Sequence, residues 1–281
     1  MLAVQPSAGY GVVVGNCQAE SVRLVIDSPE MPTIRTRAVH EMTADDARDL
    51  HELLRGASFL VSQPIRDDYH DLPLGTAQLR ASLPSGAPTV VVPVIRFAGL
   101  HPFQVAIRMH DLEYEPPLVG YHDVRLLAEA AGSPVRARLP REKIRAIADE
   151  SVGELARREQ HTDIRVSDLF ASPRFAQMRT INHPGNAVFL PVGERILRAL
   201  GRRPEPTDPG RPILSSVRAP REDWVIEAWG SDAAPHHDWL VNGDPLPAAQ
   251  VREAHLAWYA EHPAFVEAAA RRLVPLLAQW A

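Results

Sequence analysis

The sequence has very little cysteine and almost no lysine. Cys17 is the single cysteine among 281 residues, which excludes an internal disulfide and a cysteine-rich metal site. Lys143 is the single lysine, so arginine carries nearly all of the basic charge. The formal net charge of -5 argues against a general nucleic-acid-binding protein, and we expect no nucleic-acid partner.

Long apolar runs, targeting signals and phosphate-binding loops are absent as well. The longest apolar runs have the length of a strand, far below what a membrane span needs. Residues 1–10 contain neither a basic region nor an apolar stretch of signal-peptide length. No glycine-rich loop of the Walker or dinucleotide-binding type occurs. We therefore expect a soluble, cytoplasmic protein with enough residues to bury its own core.

The first hundred residues alternate between short β-branched runs and segments with helical patterning. Thr43 is a typical helix N-cap and Gly56 a typical helix end. This β-α-β order predicts the α/β class, a flavodoxin-like parallel sheet flanked by helices. The predicted strands are 12–14, 33–41, 59–61 and 89–92, and the predicted helices are 19–26, 43–54 and 76–83.

The second half of the sequence predicts more helices and one boundary. A proline-rich segment at 202–211 separates an α/β domain, residues 1–203, from a mostly helical C-terminal extension, residues 204–281, packed on the same core. The region 100–139 is less regular, and we interpret it as a loop or a substrate-facing insertion. Further helices are predicted at 122–131, 141–160, 167–177, 187–200, 248–259 and 263–280, with a polar turn at 180–186.

The lone cysteine lies in a polar turn between the first strand and the first helix. Gly15 interrupts the valine run, and Asn16, Cys17 and Gln18 follow it. Such a turn lies at the carboxyl edge of a sheet, where open α/β sheets bind ligands. A thiol near a helix N-terminus is also favoured as the thiolate. The alternative is a small core residue, as most unpaired cysteines are, but the polar neighbours favour a site.

Four short motifs give the sequence a family resemblance. They are Gly15-Asn-Cys-Gln18, Ser62-Gln-Pro-Ile65 with Asp68 and Tyr69, Phe97-Ala-Gly-Leu-His-Pro102, and Asn182-His-Pro184. In this order they resemble the WcbI family, bacterial polysaccharide-biosynthesis proteins regarded as acetyltransferases that bind coenzyme A. The resemblance covers roughly residues 10–200. The order also resembles the SGNH hydrolase plan with cysteine as the nucleophile.

The resemblance implies a role for each of two residues. In the SGNH plan a nucleophile follows the first strand and a late His-Pro supplies the base, which correspond here to Cys17 and His183. An orienting aspartate normally stands three residues before that histidine, whereas this chain has Thr180. A thiol needs less activation than a hydroxyl, so a Cys-His dyad is chemically sufficient. For His183 a purely local turn or cap role stays open.

The remaining candidate residues are expected to line the same pocket. For the oxyanion we expect the backbone N–H of Cys17 and the side chain of Gln63, with Asn16 as a substitute. Gln18 and His101 are expected to shape the pocket, although His101 is an alternative base. Arginines on the rim suit the phosphates of a nucleotide-like cofactor, although solvent-exposed arginines are equally common. The residues expected to contact substrate or cofactor are Gly15, Ser62, Arg66, Tyr69, Arg96 and Asn182.

These residues and the resemblance together predict an enzyme of acyl transfer. We expect a coenzyme-A-dependent acyltransferase, with acyl-CoA as co-substrate and no metal, that acylates a hydroxyl of a glycan or related metabolite. Passing an acyl group from coenzyme A to a cysteine exchanges one thioester for another, which is close to thermoneutral. Two alternatives stay open: a thioesterase or carbohydrate esterase that uses water as acceptor, and a non-catalytic protein that binds coenzyme A or an acyl ligand.

Overall fold

The computed structural model describes residues 9–107, 115–133 and 135–280, so the predicted insertion lies partly outside the described residues. The strands are β1 (Gly11–Val14), β2 (Thr33–Arg35), β3 (Phe59–Ser62), β4 (Thr89–Val91), β5 (Gln104–Val105), β6 (His122–Asp123), β7 (Met178–Thr180), β8 (His183–Pro184), β9 (Val217–Arg218), β10 (Trp239–Val241) and β11 (Asp244–Leu246). The helices are α1 (Cys17–Ile26), α2 (Ala44–Leu54), α3 (Thr76–Ala81), α4 (Val124–Ala130), α5 (Arg141–Glu159), α6 (Asn186–Ala199), α7 (Asp223–Trp229), α8 (Ala248–Glu261) and α9 (Pro263–Trp280), with 3-10 turns at Val39–Glu41 and Ser167–Phe170.

The main sheet has four parallel strands in the order β2-β1-β3-β4. The inner strand β1 is buried along its whole length. This explains its run of three valines, because a strand covered on both faces has no polar face. Val14 is in register with Ser62 of β3, so these two strands end side by side. The predicted α/β class with a helix-flanked parallel sheet is confirmed.

Local signals in the sequence fix the start of α2, and two predicted elements end earlier than expected. Thr43 caps α2, and its hydroxyl and the carboxylate of Asp46 form a capping box. The second strand is shorter than predicted, since it ends at Arg35 and the chain then forms the turn Val39–Glu41. Of the helix predicted at 167–177, only the 3-10 turn Ser167–Phe170 forms. The proline at position 173 disfavours helical backbone just before it, which accounts for the early end.

By their contacts, the described residues divide into two units. The first runs to Ile95 and also contains Val152–Ser172 and His183–Leu214, whereas the second contains Arg96–Ser151, Pro173–Asn182 and Ser215 onward. Both units are therefore discontinuous in sequence. The domain boundary that we expect at residue 203 stays a prediction.

The first unit contains the main sheet and the helix pair α1 and α6. Gly193 of α6 lies so close to Val25 of α1 that a Cβ on the glycine would be 2.8 Å from the valine side chain. The missing side chain therefore lets the two helices pack tightly. The hydrophobic core of the first unit includes Val12, Leu54 and Leu60.

The second unit contains two small antiparallel sheets and the terminal helices. Strands β9, β10 and β11 form a three-stranded sheet, and β5 pairs with β6. His122 stacks against Phe265 with ring centroids 4.9 Å apart, inside an aromatic cluster supplied mainly by α8 and α9. In the part of the chain that the structure describes, none of the helices combines the length and apolar character that crossing a membrane requires.

Candidate functional site

The turn after β1 presents Cys17 to solvent. Cys17 is the first residue of α1 and its side chain is exposed, so the thiol is not a core residue. Asn16 is the N-cap, and its side-chain oxygen accepts a hydrogen bond of 2.9 Å from the backbone N–H of Gln18. The helix thus starts two residues earlier than predicted. An N-terminal position places the sulfur in the positive end of the helix dipole.

A buried glutamine from the neighbouring strand end fixes this turn. The Oε1 atom of Gln63 accepts a 2.9 Å hydrogen bond from the backbone N–H of Asn16, and the Gln63 side chain is 3% exposed. A Cβ on Gly15 would lie 2.6 Å from the same oxygen, so only glycine leaves room for this contact. The Gln63 backbone N–H also donates to the carbonyl oxygen of Val14 at 3.0 Å. The glycine at position 15 and the backbone of the turn therefore fit the buried side chain of Gln63.

A second buried glutamine ties the turn to the loop after β4. The Nε2 atom of Gln18 donates to the carbonyl oxygen of Ile95 at 2.8 Å, and Gln18 Oε1 accepts from the Ile95 N–H at 3.0 Å. On the other side, the N–H of Val39 donates to the carbonyl oxygen of Gly15 at 2.8 Å. The loops that follow all four parallel strands therefore meet around the turn that carries Cys17, as expected for one edge of a parallel sheet.

The motif after β3 separates into buried and exposed members. Ser62 is fully buried, and its hydroxyl donates to the carbonyl oxygen of Gln63 at 2.8 Å. Thr76 closes the loop, because its hydroxyl donates to that same carbonyl at 2.9 Å and accepts from the Ile65 N–H at 2.9 Å. Arg66 is exposed and Tyr69 is half-buried. Ser62 thus acts within the loop, whereas Arg66 is accessible to a ligand.

His183 belongs to the same unit as Cys17. It is half-buried, forms β8 with Pro184, and directly precedes α6, as Cys17 stands at the start of α1. The Nδ1 atom of its ring is buried. The proline keeps the backbone of His183 extended. His183 therefore lies three residues before the first residue of α6, a helix that packs against α1.

His101 lies in the second unit and is buried. Burial lowers the pKa of its imidazole to about 4, and the charge of Arg221 acts in the same direction. One ring nitrogen, Nε2, lies 3.4 Å from the carbonyl oxygen of Met178. The ring is therefore neutral near pH 7.

Asn182 and Arg96 also lie in the second unit. The side-chain oxygen of Asn182 accepts hydrogen bonds from the Tyr121 hydroxyl at 2.6 Å and from the Thr180 hydroxyl at 3.1 Å. Thr180, at the position where the SGNH plan has an aspartate, is fully buried and also donates to Tyr121 at 2.9 Å. Arg96 is exposed.

The second unit contains a cavity of about 530 Å³ that sequence reasoning missed. Residues from the tryptophan-rich C-terminal region, Trp224 and Trp239, line it together with Phe103, Gln104 and His255. His101 and other residues of the region 100–139 line it as well. The tryptophans after residue 220 have no characteristic spacing that would have placed them at this cavity. Among the described residues, no group of three or more His, Cys, Asp or Glu side chains is arranged to hold a metal ion.

Comparisons with known proteins identify the family and the fold. The model of the family described as polysaccharide biosynthesis enzyme WcbI matches residues 10–205, which include all of the motifs singled out in the sequence. A solved structure of WcbI, described as the native protein without a disulfide bond between coenzyme A and a cysteine, superposes with a TM-score of 0.79. It shares 19% sequence identity, and the match covers 97% of this chain and 99% of that one, so it establishes the fold. Among curated proteins, none matches the sequence. Because the family model covers well over half of its length, the chain belongs to the WcbI family of polysaccharide biosynthesis enzymes.

Proposed function

We propose that this protein is a coenzyme-A-dependent acyltransferase that acylates a hydroxyl of a glycan or a related metabolite. The observation that carries the proposal is the exposed Cys17 at the start of α1, on the edge of the sheet where four loops meet. A solved WcbI structure is described as the native protein without a disulfide bond between coenzyme A and a cysteine. This chain has one cysteine, so a coenzyme whose thiol end meets a protein thiol would meet Cys17.

The first half of the reaction transfers the acyl group to the protein. The Cys17 thiolate attacks the thioester carbonyl of acyl-CoA, a new carbon–sulfur bond forms, and the bond to the coenzyme sulfur breaks. The coenzyme leaves as a thiolate and takes up the proton that Cys17 has lost. One thioester replaces another, so the step is nearly thermoneutral and covalent catalysis divides the transfer into two smaller barriers.

The second half delivers the acyl group to the acceptor. A hydroxyl oxygen attacks the Cys17 thioester, an ester bond forms, and Cys17 leaves as the thiolate. His183 is the proposed base that removes the hydroxyl proton, because histidine is the side chain that most often serves in this role. Ester formation from a thioester is downhill, which drives the sequence forward.

The buried amides have a positioning role in this proposal. Both ends of the Gln18 amide and the Gln63 oxygen are engaged in hydrogen bonds within the protein. We therefore assign these two side chains to holding the turn. We assign the oxyanion to the backbone N–H of Cys17, which lies at the positive end of the α1 dipole. The Asn16 side-chain amide is a further donor within the same turn.

The experiment is to incubate the protein with acetyl-CoA and measure the mass of the peptide that contains Cys17. We expect an acetyl adduct that an alcohol acceptor removes, that is absent in Cys17→Ala, and that persists longer in His183→Asn. His161→Asn, an exposed histidine of the same unit, is the matched control and should behave as wild type. Full turnover by Cys17→Ala without an adduct would contradict the nucleophilic role of Cys17. Equal coenzyme release with and without any acceptor alcohol would instead support a hydrolase.

A further inference from the structure

Three half-buried arginines lie together in the second unit, and we call them the arginine cluster. Arg179 is in β7 and Arg218 is in β9. These strands are neighbours, because the backbone N–H of Ala219 donates to the carbonyl oxygen of Arg179 at 2.8 Å. Arg221 follows shortly after β9, and all three arginines are partly exposed to solvent. The guanidinium groups are close enough for the charge of Arg218 to act on both of the others.

The cluster differs from the other half-buried arginines of the described chain in having no carboxylate partner at two of its members. In the part of the chain that the structure describes, no carboxylate forms an ion pair with Arg218 or Arg221. The other half-buried arginines do have such partners, in the pairs Arg23–Glu20, Arg125–Glu222, Arg158–Glu154 and Arg195–Asp168. Burying a charge is unfavourable unless it is paired, so an unpaired cluster points to an anion from outside the chain.

The electrostatics of the cluster show an excess of positive charge. Burial and the charges of Arg218 and Arg221 lower the pKa of Arg179 to about 10, and burial and the charge of Arg218 lower the pKa of Arg221. Both guanidinium groups still carry their charge near pH 7. Burial, and then the charge of Arg221, also lowers the pKa of His101, so this ring is neutral and adds no charge. An anion bound here would relieve the repulsion among the arginines.

Contacts with the rest of the second unit hold Arg221 in place before any ligand arrives. Its guanidinium carbon lies 5.8 Å from the centre of the Phe175 ring, within the range of a cation–π contact. Its backbone N–H donates to the carbonyl oxygen of His236 at 2.7 Å, and the His236 N–H donates back at 3.1 Å. A ligand therefore meets a charge that is already positioned.

We propose that the arginine cluster binds a phosphate group of a small ligand, with Arg218 and Arg221 donating to its oxygens. A guanidinium group matches phosphate with two parallel hydrogen bonds. A phosphate monoester carries about −1.5 to −2 charges near pH 7, so it neutralises more of the cluster than one carboxylate does. The phosphate can belong to coenzyme A or to another phosphorylated ligand, such as the acceptor. That this ligand takes part in acyl transfer rests on the proposed function, whereas binding itself does not require Cys17.

The test is titration calorimetry of the intact protein with coenzyme A, dephospho-coenzyme A, glucose 1-phosphate and inorganic phosphate. Arg218→Gln should weaken the binding of at least one of them roughly tenfold or more, because it removes charged donors. Its thermal midpoint without ligand should be unchanged or higher, because a repelling charge is lost. A merely structural arginine would instead lower the midpoint. Arg218→Lys keeps the charge without the planar fork and should restore part of the affinity.

Arg145→Gln is the matched control, since Arg145 is an exposed arginine of the same unit and the change in charge is identical. It should bind every ligand as the wild type does. No binding of any of the four ligands by the wild type, or equal losses in Arg218→Gln and Arg145→Gln, would overturn the proposal. So would a lower thermal midpoint in Arg218→Gln with unchanged affinities.

The ligands also distinguish the sources of the phosphate. A loss with coenzyme A but not with dephospho-coenzyme A assigns the cluster to the 3′-phosphate of the coenzyme, and a loss with both assigns it to the diphosphate. A loss with glucose 1-phosphate or inorganic phosphate but with neither coenzyme assigns it to another phosphorylated ligand. Acylation of Cys17 is measured separately on the wild type, so a cluster that binds no phosphate and an unreactive thiol are distinguishable failures.

Discussion

Replacing Gln18 with leucine is the sharpest test of how the turn around Cys17 is held. Gln18 is 1% exposed, and its amide pairs with both backbone groups of Ile95, at 2.8 Å and 3.0 Å. Leucine has nearly the same size but can neither donate nor accept. The substitution therefore deletes the link between the start of α1 and the loop after β4 without creating a large cavity.

The expected loss of stability follows from the groups left behind. The N–H and the carbonyl of Ile95 both lose the partner that Gln18 provides, and each buried unpaired group costs about 1–3 kcal/mol. The additional apolar surface of leucine offsets a small part. We expect Gln18→Leu to lower the free energy of unfolding by about 2–4 kcal/mol. If the substitution lets this turn and loop open without unfolding of the whole protein, the Ile95 amide should exchange with solvent roughly 30-fold to 1,000-fold faster, since 1.4 kcal/mol is a factor of about ten.

The assay is urea unfolding followed by far-ultraviolet circular dichroism, together with hydrogen exchange of the peptide that contains Ile95. Gln160→Leu, at an exposed glutamine of the same unit, should change the free energy of unfolding by less than about 0.5 kcal/mol. We also expect Gln18→Leu to slow acylation of Cys17, because the thiol follows the displaced turn. A loss below about 1 kcal/mol with unchanged exchange at Ile95 would refute the account of how the turn is held.

Two further outcomes follow from the structure. Gly15→Ala places a methyl group 2.6 Å from Gln63 Oε1 and should lower the free energy of unfolding by about 1–3 kcal/mol. In a double-mutant cycle, combining it with Gln63→Ala should recover part of that loss. If the two losses simply add, the contact between Gly15 and Gln63 is contradicted. Burial lowers the pKa of both His101 and His122 to about 4, below the ordinary 6.5, so the unfolded state takes up these protons first as the pH falls. The free energy of unfolding should therefore be highest above pH 6.5 and fall by about 3 kcal/mol for each histidine between pH 6.5 and 4. Urea unfolding measured across that range tests this expectation. A free energy of unfolding that does not change with pH there would contradict the burial of these two histidines in the neutral form.

Local signals in the sequence predicted the first half of the fold well. The valine run gave β1, the capping residues gave the start of α2, and the β-α-β order gave the parallel sheet, because each of these depends on neighbours in sequence. The exposure of Cys17 was also predictable, since its polar neighbours do not suit a core strand. The WcbI family that the four short motifs indicated is confirmed, and the matched residues 10–205 contain all four of them.

Contacts between distant residues were not predictable in the same way. Gln18 and Ile95 are 77 positions apart, and no local pattern indicates that the amide of one satisfies the backbone of the other. The sheet β9-β10-β11 was missed because its strands are two or three residues long, too short for a period of two to show. The roles of Cys17 and His183 in catalysis stay predictions, since both rest on chemistry that a fold does not record.

The most direct measurement of the central claim is rapid-quench mass spectrometry of a single turnover with acetyl-CoA and an acceptor alcohol. We expect acetyl-Cys17 to appear before the ester product and to decay at the rate at which the product forms. Product that forms at full rate while the peptide containing Cys17 stays unmodified at every time point would contradict it.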